Sequence, residues 1–314
     1  MRCRWLLAAV LPLALLTGCG DQTGPPPPGG ESGTLPDGWR WEGYAGVLVG
    51  VPGDWGWGNS SQRLGQWCVD GQTTDPIVGR PGASTLVGCM ADSPVDPSTL
   101  LENTGPVVAF ESGSGRAGVA PEGDQESVRI GDVVVRVNAP PGLRHQILAT
   151  VHAADEDANG CAMHQPAGFR PGDRPDPARD LTTLTGTPTV TACRYAVMHE
   201  TDDPAPLLSS LQLLGSPAIS VLDAIAAAPT AGGPNAPDTC LPEWSYGDEM
   251  IVLQVDSDQG RSTAYVYYSG CDHNGIDDGT VVRGLTRAAV HPLVVDANAP
   301  SGWSGPAEKL RILR

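Results

Sequence analysis

An α+β fold, made of two small disulfide-braced domains of mainly antiparallel sheet with one or two packed helices each, is what this 314-residue sequence predicts. Three observations carry that expectation. Short apolar runs rich in Val and Ile recur between Gly, Pro, Asn and Asp turn signals, the pattern of hairpin-connected strands. Apolar residues at helical spacing appear in only a few stretches. Six cysteines, Cys68, Cys89, Cys161, Cys193, Cys240 and Cys271, are spread through the body as an even set, which reads as a framework of bridges where disulfides persist.

The elements follow in chain order. Residues 20–38, GDQTGPPPPGGESGTLPDG, are too rich in Pro and Gly to bury a core, and residues 19–38 are expected to be a flexible spacer. The first domain, residues 39–164, opens with a strand from Ala45 to Val51 that stops at Pro52. Ser127 to Ile130 and Val133 to Val137 flank Gly131-Asp132, and a two-residue loop with Gly first is the mark of a type II′ hairpin. Leu143, Ile147, Leu148 and Val151 then sit at helical spacing and predict a helix from Leu143 to His152. The Pro-rich stretch 165–184 is expected to link the domains.

The second domain, residues 185–296, starts with a strand around Thr189 to Val197. A helix follows, with Ser216 and Pro217 as N-cap and first helical residue and Ile219, Leu222, Ile225 and Ala226 as its apolar face. Asp248 to Val255 and Thr263 to Tyr268 predict a hairpin turning near Ser257 to Gly260. A last helix starts at Thr286 and is cut short by Pro292. Residues 297–314 are expected to form a mobile tail.

The leader supplies a cellular address. Arg2 and Arg4 precede an apolar run from Trp5 to Leu16, too short to span a bilayer permanently, which ends in Leu16-Thr17-Gly18-Cys19. This resembles the lipobox of bacterial lipoproteins. The resemblance implies that residues 1–18 are a signal peptide, that Cys19 carries the lipid, and that the chain is tethered to the extracytoplasmic face of the cell membrane. With Cys3 in the leader and Cys19 acylated, the six remaining cysteines are free to pair. Several connectivities are open, and proximity in sequence favours Cys68 with Cys89, Cys161 with Cys193, and Cys240 with Cys271. Each bridge would stabilise by roughly 3–4 kcal/mol in the chain-entropy account.

A net charge of −17 with only 19 Lys and Arg argues against nucleic acid as a partner, because tracking phosphates needs clustered cations. Catalytic motifs are missing as well. No GxSxG elbow occurs, and His199-Glu200 is followed by Thr201-Asp202-Asp203 without the second His of a zinc protease. The expectation is a non-catalytic protein without cofactor that binds a protein or small-molecule partner. An envelope hydrolase is the competing class.

Two family likenesses bear on that role. Gly46-Val47-Leu48-Val49-Gly50-Val51-Pro52 leading to Trp55, with a helix at the domain's end, resembles PsbP-like domains, among them the LpqN-type actinobacterial lipoproteins. That likeness implies binding or assembly. Cys240-Leu241-Pro242-Glu243-Trp244-Ser245-Tyr246, then a hairpin from Val252 to Tyr268, then Cys271, is similar to the secreted subtilisin-inhibitor family. It implies a disulfide-braced loop with Glu243 at the specificity position, and a protease-inhibitor-like module as an alternative function.

Four places are candidate sites. Asp155-Glu156-Asp157-Ala158-Asn159-Gly160 matches the first half of an EF-hand loop, but the twelfth position is Pro166, so calcium competes there with a plain polar turn. Asp272, His273, Asn274, Asp277 and Asp278 could gather around a metal or polar ligand, or else cap backbone amides in a tight turn. Trp39, Trp41, Trp55, Trp57 and Trp67 crowd five of the eight Trp into one span. Trp39/Trp41 and Trp55/Trp57 each alternate with other residues as strand positions do, which predicts partial burial, with a ring facing solvent only where its sheet has an open face, and Trp55 and Trp57 are candidates for partner contact. Glu243 and Trp244 are the fourth.

Overall fold

The computed structural model describes residues 34–63, 66–69, 75–81, 105–112, 125–166, 169–176, 181, 184, 186–197 and 204–299. Strand β1 (Trp39–Tyr44) pairs antiparallel with β2 (Val47–Pro52) through the two-residue turn Ala45-Gly46, both at positive φ. That turn takes Ala45 out of the strand predicted to begin with it. In β2 the side chains alternate between two cores. Val47, Val49 and Val51 face one, and Leu48 faces the other.

The next sheet runs through β3 (Gly56–Arg63), β4 (Gln66–Val69), β5 (Ile77–Arg80), β6 (Val107–Ser112), β7 (Gln125–Ile130) and β8 (Val133–Asn138) in the order β4-β3-β5-β6-β8-β7. Only the β3–β5 and β5–β6 pairs are parallel. The hairpin of β7 and β8 turns at Gly131, at φ 55°, as its sequence requires. Helix α1 (Pro141–Leu148) buries Arg144 and Ile147. It stops short of the predicted end because Thr150 turns the chain, its hydroxyl donating to the Ile147 carbonyl and accepting from Gly50 N–H. His152 then belongs to β9 (His152–Ala153), which pairs with β2.

The largest described core lies on the third sheet. It comprises β10 (Thr189–Ala196), β11 (Leu207–Leu214), β12 (Glu249–Ser257), β13 (Gly260–Tyr267), β14 (Gly275–Asp277) and β15 (Val282–Arg283), in the order β11-β10-β12-β13-β14-β15 and antiparallel throughout. Helices α2 (Ser216–Ala226) and α3 (Arg287–Val290) cover one face, over Val190, Ala192, Ile251, Leu253, Val255 and Val266. Gly215, at φ 62°, rather than Ser216, is the N-cap of α2. The buried stripe is Ala218, Val221, Leu222 and Ile225, while Ile219 is 43% exposed, so the helix is rotated from the predicted face. Thr286 caps α3 as expected, its hydroxyl accepting from Ala289 N–H, and the chain passes Pro292 as a single 3-10 turn.

The architecture is therefore α+β and mainly antiparallel, with bridges Cys161–Cys193 and Cys240–Cys271 as their sequence proximity indicated. Cys89 lies outside the described residues, and the Cys68–Cys89 pairing with it. The leader and Cys19 are outside them too. Residues on either side of the Pro-rich stretch share interiors: Cys161 and Met163 pack with Cys193, Tyr195, Leu207 and Met250, and Ala45 N–H donates to the Leu207 carbonyl. At the other end, Asn298 contradicts a tail that is mobile from residue 297. It is fully buried, accepts from the Ser209 hydroxyl and donates to the Ala192 and Leu293 carbonyls. Arg194 holds the next residue through the Ala299 carbonyl. Residues 300–314 lie outside the described ones.

Candidate functional site

Two loops meet at one end of the third sheet, one leading into β12 and one leaving β13. The incoming loop makes two 3-10 turns, Pro237–Thr239 and Pro242–Trp244, each opened by a proline whose fixed φ suits a first helical residue. Cys240–Cys271 joins it to the outgoing loop, and backbone bonds stitch the two further. Cys271 N–H donates to the Trp244 carbonyl at 3.2 Å, Asp272 N–H to Ser245 at 3.0 Å, and Ala236 N–H to Cys271 at 2.7 Å. Gly247 and Gly270 sit at the closest approach, where a Cβ on either would collide with backbone of the opposite loop.

This braced unit presents apolar surface outward. Leu241 is 58% and Trp244 46% exposed. Leu241 is the extended residue that leads into the 3-10 turn and Trp244 is the turn's last residue, the Trp244 N–H donating to the Leu241 carbonyl at 2.9 Å. Glu243 between them is exposed, as is Asp238. Behind the knob, His273 stacks on Tyr246 with centroids 4.4 Å apart and planes 8° from parallel. Tyr246 meets Tyr267 edge-on at 5.4 Å. Burial and the nearby Asp272 carboxylate push the Tyr246 hydroxyl above its ordinary pKa.

Beneath the loops lies a buried polar cluster that sequence reasoning missed. Glu249 and Arg194 approach to 3.4 Å, both almost wholly enclosed, with the Tyr268 hydroxyl buried nearby. Burial pushes the Glu249 carboxyl up, and the Arg194 guanidinium only partly opposes it. Nothing in the sequence marks this pair, because each residue sits alone within an apolar strand.

The polar stretch after Cys271 uses its side chains on the protein itself. Asp277 takes a two-pronged ion pair from Arg174, both contacts at 2.7 Å, and accepts from Gly279 N–H. Asp278 accepts from Thr280 and Val281 N–H. Asn274 is buried and its amide donates to the Pro234 and Gly270 carbonyls and to Asn235 Oδ1. Asp272 caps the His273 N–H. Asp157, in the EF-hand-like stretch, accepts from the Asn159 and Cys161 N–H groups and the Ser210 hydroxyl. Among the described residues, no group of three His, Cys, Asp or Glu side chains is placed to hold a metal.

The chain matches no family model, no curated protein and no solved structure.

Trp39 and Trp41 are both half-buried in β1, whereas Trp55, just ahead of β3, and Trp57, within it, differ. Trp55 is 4% exposed in the core of the second sheet, which removes it as a partner-contact residue, whereas Trp57 is 37% exposed. Trp57 donates its indole N–H to Glu42 at 2.9 Å, with the Arg40 guanidinium 4.3 Å above the ring. Glu42 in turn binds Arg40 and the buried Arg80. Trp57 is thus fixed by a charge network, and the Leu241–Trp244 knob is the more open surface. Its Glu243 and Trp244 were legible in the sequence. Leu241 was not, since a leucine beside a cysteine ordinarily reads as core.

Proposed function

We propose that this protein is a lipid-anchored extracytoplasmic lipoprotein, non-catalytic, that binds a protein partner through the Leu241–Trp244 loop. One observation carries the reading: two large apolar side chains stand exposed on a loop held rigid by a disulfide, backbone bonds and paired glycines. Apolar surface exposed on an ordered element marks an interaction site, and Trp is prominent among the residues that dominate binding energy. Pre-organisation lowers the entropy lost on docking. The Leu16–Cys19 lipobox supports the anchor, and no helix among the described residues is long and apolar enough to cross a membrane. The inhibitor-like reading is weaker, because Glu243 sits inside a 3-10 turn rather than on an extended segment that a protease would take as substrate.

The anchor and the surface are tested separately. Cells grown with labelled palmitate should yield labelled parent chain, and a Cys19→Ser variant should lose both the label and its partition into detergent. In crosslinked intact cells, Trp244→Ala should lose an adduct that the parent forms while keeping the parent's melting temperature. An unlabelled parent removes the anchor, and an adduct unchanged by Trp244→Ala removes the surface.

A further inference from the structure

The two loops that build the knob, residues 235–248 and 269–280, contain six carboxylates, Asp238, Glu243, Asp248, Asp272, Asp277 and Asp278, and no Lys or Arg. Asp277 and Asp278 are buried and already engaged, by Arg174 and by backbone N–H groups. Asp248 is half-buried and engaged elsewhere, whereas Asp238 and Glu243 are exposed and Asp272 is partly exposed, leaving three acids on the same two loops as the open Leu–Trp pair. From this placement we infer that the knob takes a cationic peptide segment of an extracytoplasmic protein, with apolar side chains against Leu241 and Trp244 and Lys or Arg against Asp238, Glu243 and Asp272. The inference rests on the reading of this loop as the binding surface.

Charge complementarity selects that occupant. A cation over an exposed indole gains from the ring's negative face, and adjoining carboxylates strengthen the attraction. The whole-chain charge of −17 steers cationic partners toward the surface and repels anionic ones. The same charge disfavours a second copy of this chain, whose docking would bring two acidic rims together.

The test uses the purified full-length chain and two labelled synthetic peptides of equal length, one alternating Leu with Lys and Arg, the other with Glu at the cationic positions. Fluorescence anisotropy should give saturable binding of the first and none of the second. Trp244→Ala should weaken that binding at least tenfold. The pair Asp238→Asn with Glu243→Gln should weaken it and flatten its salt dependence, with both variants melting as the parent does. Equal binding by parent and Trp244→Ala would mean attraction to acidic surface in general and would overturn the inference. So would absence of binding, or sedimentation showing self-association through this loop. If the cellular adduct depends on Trp244 while the cationic peptide is ignored, the binding surface stands and its cationic partner falls. If neither depends on Trp244, both fall.

Discussion

Glu42 sits between Arg40 and Arg80, and although burial is the largest single influence on it and pushes its pKa up, the two guanidinium groups together hold it below its ordinary 4.5. A carboxylate with a depressed pKa stabilises the fold above its unfolded value, and that contribution is lost as pH falls through the folded value. Glu42→Gln should therefore cost about 3–5 kcal/mol at neutral pH, since it strands a buried Arg80. In urea titrations the gap to the parent should narrow below pH 4.5. Glu249 has the opposite sign. Its pKa is raised, so the folded state holds its proton more tightly than the unfolded chain does, and the parent should gain stability relative to Glu249→Gln as pH falls from that raised value to 4.5. A parent that instead loses ground over that range would contradict burial as the dominant influence on Glu249.

At the scale of elements, α2 is a sensitive check on packing. Ile225 is enclosed in the largest described core and Ile219 is open, so Ile225→Ala should cost about 2–5 kcal/mol, and Ile219→Ala should stay within about 0.5 kcal/mol. Comparably large losses at both positions would mean the helix presents the face that its hydrophobic pattern first indicated. The sequence misled there because Ile219 outweighs Ala218 in any hydrophobic pattern, whereas Ala218 is the residue small enough to sit against the sheet. Elements with their own punctuation were legible: Gly131 at the β7–β8 turn, Thr286 capping α3, and the β12–β13 hairpin. Strands β5 and β6 were not, because each is short and pairs in parallel with a strand distant in sequence. Cys161–Cys193 joins β10 to the stretch after β9, closing a loop with a sequence separation of 32. Replacing both by Ala should lower stability by about 3–4 kcal/mol in denaturant titration.

For the molecule as a whole, the net charge of −17 and the two bridges support the proposal of a lipid-anchored protein in an oxidising exterior whose partner is not nucleic acid. The candidate site was half legible. Its cysteines, Glu243 and Trp244 stood out in sequence. The exposure of Leu241 and the stacking of His273 on Tyr246 arise only when two loops, distant along the chain, are clamped at one end of a sheet. The most direct measurement places a photoactivatable residue at position 244 of the membrane-anchored chain on intact cells, with the exposed Asp223 of α2 as control position. The account predicts a discrete protein adduct from 244 and none from 223. Adducts equally abundant from both positions, or from 223 alone, would contradict a partner surface at this loop.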